Sequence, residues 1–85
     1  MAKKVVLGVR VASRAKSAPK LQGVLTKFGC SIRTRVGLHD AGDGRCSPGG
    51  LVLLETCGAA KDVAALERSL KTLAGVEVRK MVFGG

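Results

Sequence analysis

Aromatic residues are almost missing from this chain: Phe28 and Phe83 are the only two, with no tryptophan or tyrosine. Sheets that read single-stranded RNA stack bases on aromatic side chains, so this scarcity argues against sequence-specific RNA readout. Histidine occurs once, as His39. No serine or cysteine stands in a nucleophile motif, and Glu55, Glu67 and Glu77 fall in different elements, so the residues of a catalytic dyad are not assembled and a protein that is not an enzyme is expected. Long hydrophobic runs are also absent. The stretch Gly50 to Leu54 falls far short of the ~18 residues that cross a bilayer, and the Met-Ala-Lys-Lys start lacks the apolar core of a signal peptide. The expectation is a cytoplasmic protein with no membrane partner. Three cysteines, Cys30, Cys46 and Cys57, are an odd number without a Cys-x-x-Cys pair, which reads as reduced thiols rather than a disulfide framework. Cys57, in an apolar stretch, reads as a small buried hydrophobe.

Acids are missing from one half. No Asp or Glu precedes Asp40, whereas nine lysines and arginines do, so the first 39 residues hold the entire formal charge of +9 and the remainder is neutral. One half of a folded domain then carries a positive field. With 46% apolar and 25% charged residues, the chain has the balance of a folded domain and not of a basic tail. Residues 1–85 read as a single domain, small enough that sharing a surface with a second copy would add to its stability.

Periodicity organises the chain. Val5, Leu7, Val9 and Val11 alternate through Lys4–Ala12 as a strand rich in β-branched residues. Leu21, Val24, Leu25 and Phe28 recur at helical spacing before Gly29, predicting a helix over 18–28 with Pro19 in its first turn after a Ser17 cap. Ile32, Thr34, Val36 and Leu38 alternate with Arg33, Arg35, Gly37 and His39, predicting a strand whose arginine face meets solvent or a partner. Asp40–Gly49, with three glycines and a proline, reads as a loop. Leu51–Cys57 reads as a central strand. Val63, Leu66, Leu70 and Leu73 predict a second helix over 61–74 closed by Gly75, and Val76–Phe83 the last strand.

The order βαββαβ, with short connections and right-handed crossovers, folds into a four-stranded antiparallel sheet with two helices on one face, the α+β ferredoxin-like arrangement. The first and third strands, expected at its centre, carry few polar residues besides Arg10 and Glu55. An open apolar sheet face in so small a protein implies a homo-oligomer or another protein partner.

Two sets of residues are candidates for binding. Arg10, Arg33 and Arg35 form a basic set that could contact nucleic acid phosphates without reading sequence, though a solvated basic face is the usual meaning of such a set. At the junction of the halves, His39, Asp40, Asp43 and Cys46 are candidate ligands for a small molecule or a transition metal, with His39 and Cys46 as the softer donors. The His-x6-Cys spacing matches no standard zinc pattern, and the glycine-rich stretch matches neither GxxxxGK[ST] nor GxGxxG.

Three segments, Arg35-Val36-Gly37-Leu38-His39-Asp40, Cys46-Ser47-Pro48-Gly49-Gly50-Leu51 and Leu70-x-x-Leu73-x-Gly75-Val76-x-Val78, make the chain resemble the small bacterial iron-only hydrogenase system regulators from Val5 to Phe83. The resemblance implies an ACT-like, ferredoxin-like fold, related in shape to the ligand-binding domain of the nickel-responsive repressor. It does not extend to that repressor's HxH ligand pair or its ribbon-helix-helix segment, so direct operator reading is not expected. The expectation from residues and resemblance together is a small regulatory or ligand-binding domain whose effector is unknown.

Overall fold

Alternation of apolar residues produces the four strands. In the computed structural model, which describes residues 3–12, 14–42 and 45–84 and, within these, the side chains outside 14–18 and 38–49, they are β1 (Lys4–Val11), β2 (Ile32–Gly42), β3 (Arg45–Thr56) and β4 (Val76–Phe83). They form one antiparallel sheet in the order β2-β3-β1-β4. The helices are α1 (Arg14–Lys27) and α2 (Ala60–Lys71), and a single 3-10 turn, Gly29–Ser31, joins α1 to β2.

One side of the sheet carries the core. Leu7, Val9 and Val11 of β1, Leu54 of β3 and Val78 of β4 meet Leu21 and Leu25 of α1 and Leu66 and Leu70 of α2 in one buried cluster. Leu7, Leu54, Leu66 and Leu70 are fully buried. The paired residues Val6 and Glu55, Gly8 and Leu53, and Arg10 and Leu51 lie on the opposite side, which no helix covers. Thr56, buried at the end of β3, donates its hydroxyl to the Val5 carbonyl at 2.7 Å. Gly75, in the turn between α2 and β4, has a φ of +73°, a left-handed conformation open to glycine, and its carbonyl accepts the Ala12 N–H at 3.0 Å.

Four details differ from the sequence expectation. Helix α1 begins at Arg14 and runs through Pro19; proline forfeits one helical hydrogen bond, and burial of Leu21 and Leu25 beyond it anchors the helix. Helix α2 stops at Lys71, because the N–H groups of Thr72 and Leu73 bond to carbonyls three residues back, tightening the last turn. Most of the expected Asp40–Gly49 loop is instead the far end of a long β2–β3 hairpin, paired as far as Gly42 with Arg45. Cys57 lies just beyond β3 and is half-buried, its thiol donating to the Cys30 carbonyl at 3.5 Å.

The faces of β2 differ as well. Ile32 pairs with Thr56 and Thr34 with Glu55, so Arg33 is an extra residue in a β-bulge. That insertion shifts the alternation by one. Ile32 keeps the core side, while Thr34 and Val36 lie with Glu55 and Leu53 on the open side, and Arg35 shares the core side with Leu54. Strand β2 is an edge strand, so Arg35 reaches past the core to Gln22 of α1, at 3.3 Å.

Candidate functional site

The bulge disperses the basic set. Arg10 is exposed on the open side of the sheet, opposite Glu77 and Leu51. Arg33 leaves the ladder for the mouth of a groove beneath α2, and Arg35 is tied to α1. At the junction, Asp43 and the side chains of His39, Asp40 and Cys46 lie outside the described residues. The backbone register sets His39 opposite Gly50 and Cys46 opposite Ala41. Among the described residues, no three metal-ligating side chains come together.

The groove is built by four chain segments that are remote in sequence. Its floor is the helix-facing end of the sheet, where Val5, Thr56 and Val82 lie side by side. Its wall is one face of α2, with Ala60 and Ala64 next to Val63, and small side chains at these positions leave the space open. Gly58, at φ +89°, turns the chain from β3 into the helix at the groove's end. The groove, open to solvent along one side, has a volume of about 610 Å³, within the range of small-molecule sites.

Positive charge frames this apolar interior. Lys3, Lys4, Arg33 and Lys80 line it, against one acid, Glu67. Glu67 is neutralised already: it accepts from Lys71 at 2.9 Å and Lys80 at 3.3 Å. The Lys71 hydrogen bond, and after it that of Lys80, holds its carboxyl below the usual 4.5 against the opposing effect of desolvation. Lys4 is likewise engaged, with Glu55 at 2.5 Å, and this bond together with that from Thr34 lowers the Glu55 carboxyl. Among the described residues no acid forms an ion pair with Lys3 or Arg33, although the Arg33 charge is near enough to Glu55 to help lower its carboxyl. The N-terminus of α2, which no side chain caps, adds positive potential at the same end of the sheet.

Both lowered carboxyls make a pH prediction. A depressed folded pKa contributes stability that is present above the unfolded value near 4.5 and is lost as pH falls through the folded value. Urea midpoints of the wild type should therefore drop on acidification below pH 4.5. The Glu67→Gln variant should be less stable at neutral pH and show a shallower drop; an unchanged acid slope would show that the Lys71 and Lys80 bonds contribute nothing.

No protein-family sequence model matches the chain, and no curated protein matches it in sequence. Solved structures do match. An uncharacterized protein from Thermotoga maritima superposes with a TM-score of 0.81 at 21% identity, over 98% of this chain and 100% of that one. The ACT domain from the GTP pyrophosphokinase of Chlorobium tepidum follows with a TM-score of 0.67 at 20% identity, over 92% and 96%. This is the ACT-type ferredoxin-like fold. A nitrogen regulatory PII-like protein from Thiomonas intermedia, solved with ADP, AMP and bicarbonate bound, shares it more distantly, with a TM-score of 0.53 at 17% identity over 99% of this chain and 96% of that one.

The groove was not among the sequence candidates, apart from Arg33. Lys80 falls within the last predicted strand, Ala64 within the second predicted helix and Ala60 just before it, and no local feature sets them apart. Only the spacing of two alanines on the helix face that meets the sheet signals the opening, and it acquires meaning once β1, β3 and β4 are placed beneath it.

Proposed function

We propose that this chain is a small regulatory domain without catalytic activity, which takes up an anionic small molecule in the groove beneath α2 and conveys occupancy to a protein partner. The observation that carries this reading is the groove itself: an apolar interior of about 610 Å³ whose charged lining is four bases to one acid, the acid being already paired. An anion entering it replaces water around Lys3 and Arg33 with direct charge-assisted bonds, while its apolar part covers Val5, Val63 and Val82. The fold supports a regulatory role by analogy, through the ACT domain and the PII-like protein, the latter holding anions. Glu55 and Glu67, kept ionised by lysines, are poorly suited to deliver a proton as general acids. A link to an iron-only hydrogenase system, and metal binding by His39 and Cys46, rest on the sequence alone.

Calorimetric titration with ADP, AMP and inorganic phosphate at physiological ionic strength tests the reading. One saturable site per chain is expected for at least one of these anions, with affinity that falls as salt rises. Absence of saturable binding for all three, together with no shift in thermal midpoint, would overturn it.

A further inference from the structure

The described part of the open side of the sheet carries little net charge for a strongly basic molecule. Among the described side chains, register places five charged ones there, the bases Lys4, Arg10 and Arg79 and the acids Glu55 and Glu77, a formal +1 in a chain of +9. Four of them form two ion pairs within the face, Lys4 with Glu55 at 2.5 Å and Arg79 with Glu77 at 2.6 Å. Between these pairs runs an apolar band from Val36 through Leu53 and Val6 to Met81. Of the four large apolar side chains exposed among the described residues, Val36 (46%), Met81 (52%) and Phe83 (54%) belong to this face. Gly8 sits at its centre, with Leu53 Cδ2 3.8 Å from where a Cβ would stand, so the surface has low relief.

We propose that a second copy of this chain covers this face, in a two-fold dimer with the two sheets packed face to face. Charge selects the occupant. Two molecules of +9 repel wherever their basic helices and edges meet, and the nearly neutral sheet face is where that repulsion is least. A nucleic acid would be drawn to the basic surfaces instead. Both ends of the face carry both signs, Lys4 with Glu55 at one and Arg79 with Glu77 at the other, so the face is complementary to itself under a two-fold axis. Four strands about 4.8 Å apart and eight paired rows about 3.3 Å each give roughly 500 Å² per copy, so that about 1,000 Å² is covered in the pair, the lower bound for a specific interface. This inference does not depend on what occupies the groove, whose apolar interior lies on the helix side of the sheet; the two share only Lys4, at the sheet's end.

Sedimentation equilibrium at high micromolar concentration is expected to give twice the chain mass. The Val36→Lys, Met81→Lys double variant, which places a cation at two exposed positions on the face, should be monomeric at the same concentration. Val82→Lys, equally exposed but on the helix side, should remain dimeric. In the wild type, the ¹³C-methyl resonance of Met81 should move with concentration along the same curve as the mass, a measurement that does not depend on any variant folding. A wild type that stays monomeric overturns the proposal, as does a dimer that persists in the double variant or forms without moving Met81.

Discussion

Replacing Leu54 by alanine is expected to destabilise the protein by about 3 kcal/mol, from within the range of buried leucine truncations. Leu54 is fully buried on β3, paired with Leu7 of β1 and with Arg35 of β2, and belongs to the cluster that joins both helices to the sheet. Its neighbours are held by a four-stranded ladder on one side and two helices on the other, so they cannot collapse into the space, and the cavity cost adds to the transfer cost. For a domain of this size the loss corresponds to a fall in Tm of roughly 12–24 °C and is a large fraction of total stability. Urea denaturation and calorimetry measure it, with Val36→Ala as the comparison. Val36 is exposed, so its truncation should cost the monomer well under 1 kcal/mol. Equal effects at the two positions would mean that the core does not lie between the helices and this side of the sheet.

Changing the two basic residues at the groove mouth, in an Arg33→Glu, Lys80→Gln double variant, is expected to weaken anion binding at least tenfold, about 1.4 kcal/mol. One change reverses a charge that forms no ion pair among the described residues and acts on Glu55 only through space. The other removes a charge that also contacts Glu67. Lys71 still holds Glu67 at 2.9 Å, so the wall of the groove should persist. Deletion of Arg33 provides a control on the backbone. Because Arg33 is the extra residue of the bulge, removing it should leave Ile32 paired with Thr56 and Thr34 with Glu55, every β2 side chain on its present face, and the fold intact, with anion binding weakened. Calorimetry on the three proteins decides the matter: anion affinity equal to wild type in the double variant sinks the groove as the binding site, and an unfolded deletion variant sinks the bulge assignment.

The bulge also explains where sequence reading succeeded and where it failed. Alternation in β1 and β4 and helical spacing in α2 follow from one apolar face each, and a face is a local property that periodicity reports directly. Those elements, their order and the four-stranded antiparallel sheet were legible for that reason. Strand β2 has the same alternation, yet one inserted residue transfers Thr34 and Val36 from the expected core side to the open side, and no local signal marks Arg33 as the insertion. The hairpin was obscured differently. Glycines and Pro48 lower strand propensity over Asp40–Gly49, while the Asp43-Gly44 dipeptide, a strong hairpin signal, sits in the middle of that stretch and was available to be read.

By itself, then, the sequence determined the layers: two amphipathic helices and four short strands have few ways to bury their apolar faces together, and the ACT-type ferredoxin-like sheet satisfies all of them. It also determined the excess of positive charge. Which surfaces receive that charge was decided only in three dimensions. The ladder register set Lys4 beside Glu55 across 51 positions and put Glu77 and Arg79 on the same face, leaving the open side almost neutral. The crossover that lays α2 over the ends of β1, β3 and β4 brought Lys3, Arg33 and Lys80 around one groove. Neither arrangement has a local signature, because each depends on contacts between residues whose separation along the chain carries no information about their distance in the fold.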